Sequence, residues 1–208
     1  GMGSYLDFTN PAMIRWWQER LQKQVLDVGF TAGWNDNNEY EIGRDDAVAT
    51  GFGQPFAATM ARPLHALLMT RATHEATQAR SAALRPFTIT RAGPAGLQRY
   101  GETWTGDNFT SWHTLKWNIR NALSLALSGQ SKVGHDIGGF TGPRPGPELL
   151  CRFIEMMALH PRAVMNSWKP EVATGWQAAT TPWLYPEILP QVKAALNLRT
   201  VFLPLMYA

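Results

Sequence analysis

Trp34-Asn35-Asp36-Asn37-Asn38-Glu39 is the stretch on which the reading of this chain turns. It sets two carboxylates, Asp36 and Glu39, among amides and behind an indole. The run from Val28 to Ala32 that leads into it is apolar, and Phe30 to Trp34 reads as a short buried strand. A second stretch of the same kind, Trp104-Thr105-Gly106-Asp107-Asn108, follows a strand predicted over Tyr100 to Trp104. Chemistry-bearing side chains thus recur at the ends of short strands.

The spacing extends the pattern. Asp107, Asp136 and Asn166 follow one another at about thirty-residue intervals, one βα unit each, and each stands after a strand and before a helix. Strands are predicted at 30–34, 85–91, 100–104, 132–134 and 162–165. The expected fold class is α/β, a partial (β/α)8 TIM barrel in which these residues share one rim. A closed barrel needs eight strands and eight helices. The five read here correspond to about strands four to eight, so residues 1–208 are expected to be a single, incomplete barrel domain. Both ends read as cut, with two sheet edges left open. Open parallel edges expose unpaired backbone groups, and self-association as a homodimer is the expected way to hide them.

The helices follow from caps and stops. Asn10 and Pro11 open one over 10–28, with Ile14, Trp17, Leu21 and Val25 at helical spacing and Gly29 as its stop. Residues 42–54 read as a loop, and 55–84 as a long helix with Met60, Leu64, Leu67 and Leu68 on its apolar side. Thr110 or Ser111 caps a helix to Ser128, stopped by Gly129. Pro147 opens another that ends before Pro161, and a last one runs from Pro186 toward Leu203.

Composition narrows the function classes. Apolar residues make up 45% and charged ones 17%, as in a globular domain. The net charge of +3 is spread with no basic run, which argues against nucleic acid as a partner. No apolar run is long enough to suggest a membrane span. Cys151 is the single cysteine, so an internal disulfide is impossible, no thiol-based zinc site can form, and a reducing, cytoplasmic setting is expected. Nine tryptophans suit a large aromatic core, but Trp34 and Trp104, inside the two polar stretches, are read as sugar-stacking plates. His65 and His74, within a helix, are read as surface or packing residues, and Glu39 as a residue that holds its loop.

Two carboxylates on one rim suit glycoside hydrolysis, in which one attacks the anomeric carbon and the other protonates the leaving oxygen. The attacker must stay ionised, and Asn35, Asn37 and Asn38 are candidate donors to it. No metal or organic cofactor is called for.

These residues carry a resemblance. Trp34 to Glu39 is similar to Trp-x-Asp-Met-Asn-Glu, the nucleophile motif of glycoside hydrolase family 31, the α-glucosidase and α-xylosidase family, with Asn37 where Met is usual. Trp104 to Asn108 matches its acid/base motif without change, and Arg85-Pro-Phe-Thr-Ile-Thr-Arg91 resembles its Arg-Pro-Phe strand. His135-Asp136-Ile137-Gly138-Gly139-Phe140 is similar to its Ala-Asp-Ile-Cys-Gly-Phe, and Pro182-Trp183-Leu184-Tyr185-Pro186 to a bacterial form of its later loop. The resemblance implies a retaining α-glycosidase with Asp36 as nucleophile and Asp107 as acid/base. It further implies Trp34, Arg91, Trp104, Asp136 and Asn166 as substrate-binding residues, and an α-glucoside or oligosaccharide as substrate. Asn166 stands where the family has a hydroxyl-binding His, and 168–182 reads as a longer loop than the bacterial pattern. The family also draws a sugar-holding Asp from upstream strands. This chain is therefore expected to be a fragment of a longer glycosidase, weak or inactive alone. The alternative is a non-catalytic module that only binds sugar or self-associates.

Overall fold

The computed structural model describes residues 5–42, 44–80, 83, 85–169 and 179–207. The chain forms two compact units, Gly1–Thr103 and Trp104–Ala208.

The first unit opens with α1, Pro11–Leu21. Asn10 caps it, its side chain accepting from Ala12 N at 2.9 Å, with proline at the first helical position. The helix does not run on to residue 28 as an α-helix. It widens into a π-helical turn over Gln22–Leu26, where Asp27 N donates to Gln22 O at 2.8 Å. That turn brings Leu26 into the core, fully buried, and Gly29 at φ +110° then ends the segment. Strand β1, Ala32–Asn35, follows.

The stretch expected to be only loop holds half of a small antiparallel ladder, β2 (Val48–Ala49) with β3 (Phe56–Ala57). Helix α2, Arg62–Arg80, then crosses back to β4, Phe87–Thr90, which pairs in parallel with β1. Strand β5, Glu102–Trp104, pairs in parallel with β4. This is the βαβ logic anticipated for a barrel.

The packing of α2 differs from its hydrophobic pattern. Its buried face is His65, Ala66, Thr70, Ala72, Thr73, Ala76 and Thr77, while Met60, ahead of the helix, is 78% exposed. Small and hydroxyl side chains are needed because the helix lies close to β1. A Cβ on Gly33 would stand 2.5 Å from Thr73 Cγ2. The apolar core of this unit sits instead around Phe8, Tyr40 and Ala72, with Ile14, Trp17, Leu68 and Met69 against it.

In the second unit Ser111 caps α3, Trp112–Leu127, accepting from Thr114 N at 3.0 Å, and Gly129 at φ +87° follows the helix. Strand β6, Val133–Gly134, leads to α4, Pro147–Met157, and a 3-10 turn at Pro186–Ile188 leads into α5, Leu189–Tyr207. The core is built from Leu150, Phe153, Ile154 and Met157 of α4 with Leu115, Ile188 and Val192. The strand expected at 162–165 is only a single parallel bridge, Asp136 to Val164, with Ile137 N donating to Val164 O at 3.0 Å. Gly134 allows the close approach there, since a Cβ would fall 2.0 Å from Arg162 O. Most of the predicted long loop, residues 170–178, lies outside the described residues. Among the described residues no helix is long and apolar enough to cross a membrane.

Candidate active site

In the first unit the register pairs Asn35 with Thr90, so Asp36 and Arg91 leave β1 and β4 side by side at the same edge. Arg91 N donates to Asn35 O at 3.0 Å and extends the ladder by one bond. Beyond that bond the side chains converge. Arg91 Nη1 stands 3.3 Å from Asp36 Oδ1, and its Nε 2.5 Å from Glu39 Oε1. The guanidinium is 22% exposed and the Asp36 carboxyl 50%, so the cation is half-sunk while the carboxylate faces open space.

The loop that carries Asp36 is fixed from below by a buried polar ladder. Thr70 Oγ1 of α2 donates to Thr90 Oγ1 at 3.0 Å, and Asn38 Nδ2 donates to Thr90 Oγ1 at 2.8 Å. Ala92 N returns to Asn38 Oδ1 at 2.9 Å. Asn35 is held from the other side, its Oδ1 accepting from Thr73 Oγ1 at 3.1 Å, while Thr73 accepts from Trp17 Nε1 at 3.0 Å. Asn35 and Asn38 were expected as donors to Asp36. Their bonds go instead to the scaffold, and Arg91 donates to Asp36. Asn37 adopts φ +50°, the left-handed turn that asparagine tolerates. Glu39 holds the loop through Arg91, in line with its reading, and Trp34 is exposed on β1.

In the second unit Asp107 is exposed on a loop pinned at both ends. Asn108 Nδ2 donates to Thr105 O at 2.8 Å, and Thr105 Oγ1 lies 2.6 Å from His135 Nδ1. His135 is fully buried, and burial is the main cause that pushes its pKa down to about 4. Its ring is therefore neutral. Nε2 sits 2.9 Å from Asn118 O, an acceptor only, so Nε2 carries the proton and Nδ1 accepts from Thr105.

Asp136 is expected to line the pocket, and the structure instead buries it fully. Its Oδ1 accepts from Arg162 Nη2 at 3.0 Å, and its Oδ2 from Asn166 Nδ2 at 3.4 Å. Burial pushes the Asp136 carboxyl up to about 6, with Arg162 opposing. The carboxylate is thus still mostly ionised at neutral pH, and it anchors the partly buried Asn166. Trp104 is only 3% exposed, and the Arg162 guanidinium lies 5.5 Å over its ring centre. The ring expected as a sugar-stacking plate is part of this packed layer. Arg162 was not singled out from the sequence, because the carboxylate that accounts for its burial, Asp136, lies 26 residues away. Among the described residues no cluster of three or more His, Cys, Asp or Glu side chains is placed to hold a metal ion.

Both polar stretches therefore have built surroundings, each within its own unit. Similarity to known proteins decides what they belong to. The description "Glycosyl hydrolases family 31 TIM-barrel domain" matches residues 1–208. The chain belongs to glycoside hydrolase family 31. Among its relatives, alpha-glucosidase 2 of Bacillus thermoamyloliquefaciens is 31% identical over 214 residues, covering 100% of this chain and 26% of the relative. Neutral alpha-glucosidase AB of Sus scrofa is 36% identical over 216 residues, covering 100% of this chain and 22% of the relative. The crystal structure of a family 31 alpha-glucosidase from Bacteroides thetaiotaomicron superimposes with a TM-score of 0.75 at 29% identity, over 97% of this chain and 32% of that one. The family 31 chain described here thus spans about a quarter of the length of these curated relatives.

Proposed function

We propose that this family 31 segment carries the catalytic pair of a retaining α-glucosidase, with Asp36 as nucleophile and Asp107 as general acid/base. In the first step an Asp36 carboxylate oxygen bonds to the anomeric carbon, the bond to the leaving oxygen breaks, and the Asp107 proton passes to that oxygen. In the second, water attacks the same carbon and gives its proton to Asp107, and the ester to Asp36 breaks. The observation that carries the reading is the Arg91 bridge: an exposed carboxylate at a strand end is held at 3.3 Å by a guanidinium that is 22% exposed, which fixes where the carboxylate stands. Arg91, Trp34 and Asn166 are then the groups that meet the sugar. Asp136 acts through Asn166, and Trp104 packs against Arg162 in the buried layer.

The reading places the segment as about strands four to eight of the barrel, with Asp36 and Asp107 as the two carboxylates of the retaining mechanism. The substrate is an α-glucoside or an oligosaccharide, the setting cytoplasmic, and the chemistry needs no cofactor. The names of the relatives, alpha-glucosidases from a bacterium and a mammal, support this class. By itself the segment is proposed to self-associate. Edge strand β1, paired on one side with β4 and carrying exposed Trp34, is what supports that.

Azide tests the pair. Asp36→Ala in the full-length protein abolishes turnover of an aryl α-glucoside, and azide restores it with the inverted glycosyl azide as product, because azide fills the place of the missing carboxylate. Turnover retained in Asp36→Ala without azide overturns the assignment.

A further inference from the structure

Lys169 lies buried beneath the loop that carries Asp107. Its Nζ is 2.7 Å from Thr110 Oγ1, 3.2 Å from Gly139 O, 3.3 Å from Thr141 O and 3.4 Å from Phe140 O. All four partners are neutral oxygens. A buried ammonium met only by carbonyl and hydroxyl groups is costly to keep, and burial, with Arg144 adding to it, pushes its pKa down to about 8. Such a group is retained where its charge does something that an apolar side chain does not.

What it does is visible in the two segments it joins. Residues 107–110 lie alongside 138–141. Phe140 N and Thr141 N both donate to Asn108 O, at 2.8 and 3.2 Å, and Thr110 N donates to Thr141 O at 3.0 Å. Thr141 Oγ1 reaches Asp107 O at 3.4 Å. Gly139, at φ +80°, is forced by the closeness of this contact, since a Cβ there would stand 2.5 Å from Thr110 Oγ1. The carbonyls of Gly139, Phe140 and Thr141 converge on one point, where like dipoles repel unless a cation sits among them. Lys169 is that cation, and Trp168 N, donating to Phe140 O at 2.9 Å, fixes the backbone beside it.

We propose that Lys169 is a positioning residue for Asp107. It clamps the 107–110 segment onto the 138–141 segment and so fixes where the Asp107 carboxyl stands relative to the leaving oxygen. The proposal rests on Asp107 as the acid/base. Lys169 touches neither substrate nor reacting atoms; it acts through Thr110 and the three carbonyls. Its loss therefore falls on the step that needs a delivered proton rather than on the whole reaction.

The test is kcat/KM in the full-length protein for two substrates: phenyl α-glucoside, whose leaving group needs a proton, and 2,4-dinitrophenyl α-glucoside, whose leaving group does not. Lys169→Met is expected to lower the first by about a hundredfold, the scale of a displacement of about 1 Å, and the second by less than about tenfold. Thr110→Val removes the nearest acceptor with little change of volume, so it tests the clamp even if Lys169→Met does not fold. It is expected to show the same skew in weaker form. The loss in the double variant should fall short of the product of the two single losses, because the Lys169 Nζ–Thr110 Oγ1 contact at 2.7 Å is removed by either change. Equal losses on both substrates, or no loss, in Lys169→Met and in Thr110→Val overturn the clamp. Asp107→Ala in the same series separates the two readings. If it shows the skew and the Lys169 and Thr110 variants do not, only the clamp fails. If it shows none, the acid/base assignment fails and the clamp falls with it.

Discussion

Arg91 Nη1 lies 3.3 Å from Asp36 Oδ1, one residue beyond the paired ends of two parallel strands. Neither residue was placed there by hydrophobic burial. The register Asn35 to Thr90 puts them side by side, and the Thr70–Thr90–Asn38 ladder holds the turn that carries Asp36.

The first prediction follows from the exposure of that pair. Both carboxylates paired with Arg91 are exposed, Asp36 at 50% and Glu39 at 38%, and pairs of that kind contribute about 0–1 kcal/mol each, so Arg91→Met should shift the urea midpoint only modestly. The same change should lower kcat/KM for an α-glucoside in the full-length protein by tenfold or more, on the order of a lost charge-assisted contact. A large loss of stability with turnover intact would mean that Arg91 serves the fold and not the site.

The buried pair in the second unit behaves in the opposite way. Arg162→Met leaves the fully buried Asp136 carboxylate without its cation, which costs about 3–5 kcal/mol in comparable sites. Asn166 should lose its anchor in the same variant. Denaturant unfolding at neutral pH measures the first effect. A change below about 1 kcal/mol, the range of exposed pairs, would contradict it.

The pH dependence of stability tests the two neighbours, His135 and Asp136, against each other. Asp136 is raised from 3.8 to about 6, so over that window the folded state holds a proton that the unfolded state has released, and its contribution falls as pH rises. His135 is lowered from 6.5 to about 4, so over its window the unfolded state holds the extra proton, and its contribution rises with pH. Between pH 4 and 6 the two oppose. Relative to the unmodified chain, Asp136→Asn should therefore gain stability with rising pH in that range, and His135→Gln should lose it. Parallel pH profiles for the chain and both variants would refute the paired titration.

Gly33 offers a test of the α2–β1 packing. Gly33→Ala drives a methyl to 2.5 Å from Thr73 Cγ2, and overpacking of this kind costs about 1–3 kcal/mol. Thr73→Ser in the same chain removes the clashing methyl, keeps the hydroxyl that bonds Asn35, and should recover part of the loss. No recovery in the double variant would place the strain elsewhere.

Several of these features were legible before the structure, and the reasons for the others are physical. Capping chemistry is local, so Asn10, Ser111, Gly29 and Gly129 stand where side-chain bonding and positive φ require. Apolar periodicity misled at α2, because close helix–strand packing selects Thr70 and Thr73 over leucine. It also passed over the π-turn at Gln22–Leu26, since a period near 3.6 does not distinguish an added residue in one turn. The β2–β3 ladder is two residues long on each side, too short for alternation to register. The placement of Asp36, Arg91 and Asp107 after the ends of β1, β4 and β5 was legible, because polar stretches follow short apolar strands. Arg162 and Lys169 were not, because a buried cation is recognised by its partners and those are distant in sequence: Asp136 for the one, Thr110 and the 139–141 carbonyls for the other.

Self-association of the isolated segment is proposed on its β1 edge, which among the described residues pairs with β4 on one side. Light scattering over a range of concentrations should give a mass near twice that of one chain, falling toward one on dilution. A monomer at every concentration would contradict it.

The central claim, a retaining mechanism with Asp36 as nucleophile, is tested most directly by trapping. The full-length protein is incubated with 5-fluoro-α-glucosyl fluoride, which forms the glycosyl ester quickly and releases it slowly, then digested and sequenced by mass spectrometry. The account predicts a fluoroglucosyl adduct on the peptide that contains Trp34 to Glu39, with the label on Asp36. A label on any other carboxylate, or unlabelled protein that turns over α-glucosides with inversion, would contradict it.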